Sequence, residues 1–146
     1  MFTHTKTCAF FIYRRTPSAS LPMPPDVADA QSVSMAADWK EDIKARTPKG
    51  WYGLATPDGW DQLVCDLHTA IKALFPDYQV YQIKEKFAAL RYYCSVETDP
   101  AVRTLIQEAE KKSVTICQVC GAPGTTRDTD RLLATLCDTH AQVLPK

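Results

Sequence analysis

Residues 78–96 read YQVYQIKEKFAALRYYCSV, two runs rich in strand-forming residues with a short polar connection between them. In the second run, positions 90, 92, 94 and 96 fall on one face of a strand, and positions 91, 93 and 95 fall on the other. The polar connection Lys84-Glu85-Lys86 then predicts an antiparallel hairpin whose strands are residues 78–84 and 90–96.

A helix is predicted on each side of this hairpin. From Trp60 to Phe75 the apolar residues recur at three- and four-residue spacing, which forms one apolar stripe on a helix that Asp58 can cap. After the hairpin, Asp99 and Pro100 provide a capping residue and a first helical residue for a second helix. The fold class is therefore α+β, with a small α-β-β-α core in residues 35–115.

A cysteine and histidine pattern follows this core. Cys117 and Cys120 are separated by two residues, as are Cys137 and His140, and sixteen residues lie between the two pairs. This spacing is typical of a structural zinc site, in which four protein ligands fill a tetrahedral ion and leave no position for water. Residues 116–146 are predicted to form a treble-clef-like or zinc-ribbon-like module. The alternative is that the four ligands pack together without a metal.

No catalytic arrangement can be assembled from the remaining residues. The other histidines are His4 and His68, asparagine is absent from the chain, and there is no serine–histidine–aspartate set, glycine-rich phosphate loop or carboxylate pair. Cys65 and Cys94 are interpreted as small buried residues with reduced thiols. The prediction is that the protein is not an enzyme.

The hairpin offers a second group of candidate residues. Lys84, Lys86, Arg91 and Tyr93 would place three cations and an aromatic ring on one outer surface, a plausible contact for phosphate or for an acidic partner. The alternative is a solvated hairpin face, with Glu85 offsetting part of the charge.

Charge and hydropathy limit the classes of partner and compartment. Lysine plus arginine number 17, as do aspartate plus glutamate, so there is no basic field over the whole chain. No apolar run approaches the ~20 residues of a membrane-spanning helix, and the run at residues 8–13 is shorter than a secretory core. We expect a cytoplasmic protein, with no membrane partner and a disordered proline-rich tail at residues 1–34.

Residues 82–93, QIKEKFAALRYY, together with Cys117-x2-Cys120-Gly121 and Thr135-Leu136-Cys137-x2-His140, carry a resemblance. Over roughly residues 50–142 the chain resembles small zinc-ribbon-like proteins of bacteriophages and prophages, which often have glycine where Ala88 and Ala89 stand. The resemblance implies a phage or prophage origin, and with it a bacterial host cell, together with a zinc site but no established activity.

Two functions are carried forward from these observations. The first is a non-enzymatic, zinc-stabilised phage or prophage protein that binds a macromolecular partner. That partner would be a host or phage protein complex. The role considered is inhibition of a host defence system, similar to that of anti-CRISPR proteins. The second is a nucleic-acid-binding accessory or regulatory protein that uses the cations of the hairpin and the zinc module.

Overall fold

The computed structural model describes residues 39–129 and 132–143, so the predicted tail at residues 1–34 lies outside the described residues. The described chain is a mixed α+β fold with four helices and two small sheets, as the sequence predicts. Its elements in order are α1 (39–46), β1 (Gly53–Ala55), α2 (Asp61–Leu74), β2 (Val80–Lys86), β3 (Ala89–Cys94), α3 (Pro100–Ser113), β4 (Thr125–Thr129), β5 (Leu132–Leu136) and α4 (Asp138–Ala141).

The main sheet has three strands in the order β1-β2-β3, and its first strand was not predicted. Strand β1 is only three residues long and runs parallel to β2, with Gly53 opposite Gln82. Parallel neighbours need a long crossover, which α2 supplies here. The predicted α-β-β-α order is thus present, with α1 and β1 preceding it.

The predicted antiparallel hairpin is confirmed, and its turn lies within the gap left between the two predicted strands. Strand β2 continues through Lys84, Glu85 and Lys86, and the turn is made by Phe87 and Ala88. Both turn residues have positive φ, 54° and 63°, as two-residue hairpin turns require. Only the assignment of Lys84-Glu85-Lys86 to the connection was wrong, because a tight turn is set by these backbone angles, which polar residues in a strand do not reveal.

The two predicted helices are present. Helix α2 begins one residue after Trp60, but Asp58 does not cap it, because a short 3-10 turn at Asp58–Trp60 precedes the helix. Asp99 does cap α3, since its side chain accepts hydrogen bonds from the amides of Ala101 and Val102.

One hydrophobic core joins the helices to the inner face of the main sheet. Helix α1 contributes Trp39 and Ile43, and the sheet contributes residues such as Ile83, Leu90 and Tyr92. The alternation predicted for β3 is confirmed, because positions 90, 92 and 94 are buried and positions 91 and 93 are not. We call the other side of the sheet, which contributes nothing to this core, the outer face.

The two cysteines assigned to the core are both buried. Cys94 is a free thiol that is 1% exposed, and burial raises its pKa. Cys65 is 3% exposed and is disulfide-bonded, so the expectation of a reduced thiol was wrong for this residue. None of the helices described here combines the length and the apolar character needed to cross a membrane.

Candidate metal centre

The first pair of candidate ligands lies on a knuckle between α3 and β4. The amide of Cys117 donates to the carbonyl of Ala122 at 2.7 Å, and the amide of Gly121 donates back to the carbonyl of Cys117 at 2.9 Å. Gly121 has a φ of 75°, a conformation that glycine adopts without steric cost. These contacts turn the chain sharply enough to bring Cys120 beside Cys117.

The second pair follows the two-stranded sheet. Strands β4 and β5 pair antiparallel from Thr125 opposite Leu136 to Thr129 opposite Leu132, which returns the chain to the knuckle. Cys137 immediately precedes α4, and His140 lies on that helix. The order of knuckle, β-hairpin and short helix matches the treble-clef-like arrangement expected from the sequence.

The structure brings the four candidate ligands together. One donor atom from each of Cys117, Cys120, Cys137 and His140 lies within 4.8 Å of all the others. The sulfurs of Cys120 and Cys137 are 3.8 Å apart, and Nδ1 of His140 lies 3.5 Å from the sulfur of Cys117. A tetrahedral ion with metal–sulfur bonds of about 2.3 Å holds two sulfurs about 3.8 Å apart. The donor set therefore could hold a metal ion.

The knuckle also favours the ionised form of its first ligand. Burial alone would raise the pKa of Cys117, but hydrogen bonds from the backbone amides of Cys137, Cys120 and Val119 hold that pKa at about 6. Thiolates, not thiols, bind metal ions. The local backbone thus prepares Cys117 as a ligand near neutral pH.

The knuckle is docked against the α2 end of the core. The amide of Gly59 donates to the carbonyl of Gln118 at 2.8 Å, and the indole Nε1 of Trp60 donates to the carbonyl of Ile116 at 3.1 Å. A Cβ atom on residue 59 would lie 2.1 Å from the carbonyl oxygen of Cys117. Nothing in the sequence pattern around Gly59 indicates this docking role.

A second contact links the metal module to the main hairpin. The amide of Gln118 donates to the carbonyl of Thr135 at 2.9 Å, and the buried hydroxyl of Thr135 donates to the carbonyl of Ala88 at 3.2 Å. The module therefore contacts the β2–β3 turn at Ala88, at the end of the hairpin that carries the predicted contact surface.

The residues of that predicted surface lie on the outer face. Lys84 is opposite Arg91 in the β2–β3 register, and its Nζ atom is 5.8 Å from the ring centre of Tyr93. Lys86 is opposite Ala89, at the end of the strand pair. Arg91 reaches across to Glu110 of α3 at 3.4 Å, so part of its charge is compensated within the fold.

Outside the module, the structure describes one histidine, His68, and this residue lies in a buried polar network. It is 2% exposed, its Nε2 atom is 2.8 Å from a carboxylate oxygen of Asp42, and its Nδ1 atom contacts the hydroxyl of Tyr78. Lys72 and Arg46 also hydrogen-bond to Asp42. Burial alone would raise the pKa of Asp42, but these hydrogen bonds hold it at about 2. The network joins α1, α2 and the hairpin.

Comparison of the chain with protein-family models, with curated proteins and with solved structures gave no match.

Proposed function

We propose that the chain is a non-enzymatic binding protein whose C-terminal module is held together by a structural zinc ion. The observation that carries this proposal is the closed donor set of three cysteines and one histidine. Thiolate and imidazole ligands in a tetrahedral arrangement suit zinc, and four protein ligands leave no position for a substrate or a reactive water. The ion would supply cross-linking and no reaction step.

The composition of the module supports this role for the ion. Among the described residues 116–143, only Cys117, Thr135 and Leu136 are buried, whereas Leu132 is 73% exposed. A segment with so little buried apolar surface needs another source of stability, and a bound metal is the usual one in small modules.

The surface proposed for the macromolecular partner is the outer face of the main sheet, with Lys84, Lys86, Arg91 and Tyr93. Lys84 and Lys86 have no ion pair with any residue that the structure describes, so their charges are available to a partner. Phage origin, a bacterial host and inhibition of a host defence system stay predictions from the resemblance, and a cytoplasmic location stays a prediction from the sequence.

Native mass spectrometry of the full chain tests whether the C-terminal module binds one zinc ion. We expect one zinc ion per chain, loss of the ion in Cys117→Ser, and retention of the ion in the control Cys94→Ala, which removes a thiol from the core. A metal-free wild-type chain, or a Cys117→Ser variant that keeps its zinc, would contradict the proposal.

Affinity purification from the source cells tests whether a macromolecular partner binds the outer face. We expect a partner that co-purifies at fixed stoichiometry with the wild type and with the α3 control Lys111→Glu. The same partner should be lost from the double variant Lys84→Glu, Arg91→Glu. Equal recovery with all three proteins would show that the outer face is not the contact.

A further inference from the structure

Aromatic and basic side chains together cover the outer face of the main sheet, beyond the hairpin residues already described. We propose that this face binds single-stranded nucleic acid, with Trp51, Tyr81 and Tyr93 stacking against bases and with lysines contacting phosphates. This inference rests on the proposed function, because it names the partner of the same surface.

A β-bulge places Tyr81 on the outer face. The register passes from Val80 opposite Cys94 directly to Gln82 opposite Tyr93, so Tyr81 is the extra residue of the bulge. In a bulge, two residues of one strand oppose a single residue of the other. Val80 is buried, while Tyr81 and Gln82 are both partly exposed, as expected if both share the outer face with Tyr93.

Trp51 extends this aromatic surface from the segment before β1. Its ring centre lies 4.7 Å from that of Tyr81 at an interplanar angle of 30°, yet 53% of the residue remains exposed. Gly50 and Gly53, on either side, have φ values of 95° and 63°. These backbone bends, which favour glycine, set the path of the chain around the exposed indole.

Lysines border the aromatic surface on two sides. Lys84 lies over the ring of Tyr93, and Lys86 is at the end of the same strand. Next to Trp51, a cleft of about 470 Å³ is lined by Lys40, Lys44 and Lys49, with Glu41 as its one acidic lining residue. Trp51 links this cleft to the rings of the sheet. Lys40 pairs with Asp61 and Lys44 pairs with Glu41, whereas Lys49 has no ion pair with any described residue.

Some acidic residues of the central part of the chain lie away from this surface, and others compensate its edge. Asp66 is on α2 and Glu108 is on α3, and these helices pack against the inner face. Asp61 pairs with Lys40 at 2.6 Å and Glu110 pairs with Arg91 at 3.4 Å, so the charges left for a partner are chiefly those of Lys84 and Lys86. A formal net charge of zero is therefore compatible with a locally basic outer face. Local clusters of cations, not the sum over the chain, determine whether phosphates are attracted.

Exposed rings together with lysines favour a single strand over the other partners. Aromatic side chains stack on the faces of bases, and those faces are free only where bases are unpaired. A duplex hides them, and an acidic peptide would use the lysines but would leave the rings without a role. The chemistry of this surface thus matches a polyanion with stackable groups.

Binding of fluorescently labelled 20-nucleotide oligo-dT and oligo-rU to the full zinc-bound chain tests the inference, with a 20-base-pair duplex as competitor. We expect at least tenfold tighter binding of a single strand than of the duplex. The affinity should fall with salt at a log–log slope of about −2, as three phosphate contacts on a single strand predict. Trp51→Ala and Tyr93→Ala should each weaken binding roughly tenfold.

Two matched controls and a spectroscopic readout sharpen this experiment. Leu74→Ala removes an exposed apolar side chain from α2, and Lys111→Glu reverses an exposed charge on α3; neither should change the affinity. Trp51 is half exposed, whereas Trp39 and Trp60 are buried, so a stacked base should quench tryptophan fluorescence only while Trp51 is present.

Equal affinity for duplex and single strand, or quenching that survives Trp51→Phe, would overturn the inference. If oligonucleotides do not bind but a protein is lost from Lys84→Glu, Arg91→Glu, the inference fails while the proposed function holds. If neither kind of partner depends on the outer face, both fail.

Discussion

The amide nitrogen of Gly59 lies 2.8 Å from the carbonyl oxygen of Gln118, which joins the segment before α2 to the knuckle that carries Cys117 and Cys120. This approach is possible because residue 59 has no Cβ atom; such an atom would lie 2.1 Å from the carbonyl oxygen of Cys117. The backbone of the knuckle thus packs directly against the backbone at Gly59.

We expect Gly59→Ala to destabilise the protein by about 3 kcal/mol, because overpacking against backbone atoms cannot be relieved by a side-chain rotation. Chemical denaturation measures this loss. Asp58→Ala, a change at an exposed neighbouring residue, should alter the free energy of unfolding by less than about 0.5 kcal/mol. Similar stability of the two variants would show that the knuckle does not dock at residue 59.

The fourth ligand can be tested with a pair of variants at one position. His140→Cys should keep one zinc ion per chain, because four thiolates also form a closed structural site, whereas His140→Ala should release zinc to a chelator much faster than the wild type. A colorimetric zinc-release assay measures both. Equal release rates for the alanine variant and the wild type would exclude His140 as a ligand.

Ser113 links the end of α3 to strand β3. Its buried hydroxyl accepts a hydrogen bond from the amide of Leu90 at 2.9 Å and donates to the carbonyl of Glu110 at 2.6 Å. Ser113→Ala would leave the Leu90 amide buried without an acceptor, so we expect a loss of about 1–3 kcal/mol in unfolding free energy.

The matched control is Ser95→Ala, which removes an exposed hydroxyl that accepts from the amide of Gln79. Water can replace that acceptor, so the loss should be smaller. If the two alanine variants lose the same stability, Ser113 is not a structural link.

Acid should destabilise the fold through His68. Burial lowers the pKa of His68 below its usual value near 6.5, although Asp42 acts in the opposite direction. The unfolded chain therefore binds the proton more readily than the folded chain. The His68 contribution to stability is complete above about pH 6.5 and declines as the pH falls from there towards the pKa of the folded state.

Nuclear magnetic resonance titration of the His68 ring measures this pKa directly, and it separates His68 from the candidate ligand His140. We expect a value below 6.5 in the wild type and a still lower value in Asp42→Asn, which lacks the opposing negative charge. A wild-type value above 6.5 would contradict the prediction.

Local sequence signals identified much of the fold and most of the metal centre. The apolar stripe of α2 and the Asp99 cap of α3 are properties of adjacent residues, so the sequence predicts them well. The spacing of Cys117, Cys120, Cys137 and His140 likewise reflects the geometry that a single ion imposes, and the structure brings these four residues together.

Features that depend on distant partners were not predicted. The three residues of β1 form a strand only because they pair with β2, which follows α2 in the sequence. A segment of three residues is too short to show a periodic pattern. The turn at Phe87 and Ala88 uses positive φ values with residues that seldom adopt them. The bulge at Tyr81 appears only when two strands are aligned, which is why Trp51 and Tyr81 were missed as surface residues.

The hydrogen bond from Trp60 to Ile116 has a consequence for synthesis of the chain on a ribosome. Trp60 is completely buried, and its indole acceptor lies 56 residues further along the sequence. The β2–β3 hairpin, whose partners are neighbours in sequence, can form soon after it emerges, whereas contacts between distant residues form late. The nascent chain therefore carries an incomplete core until the knuckle has left the exit tunnel.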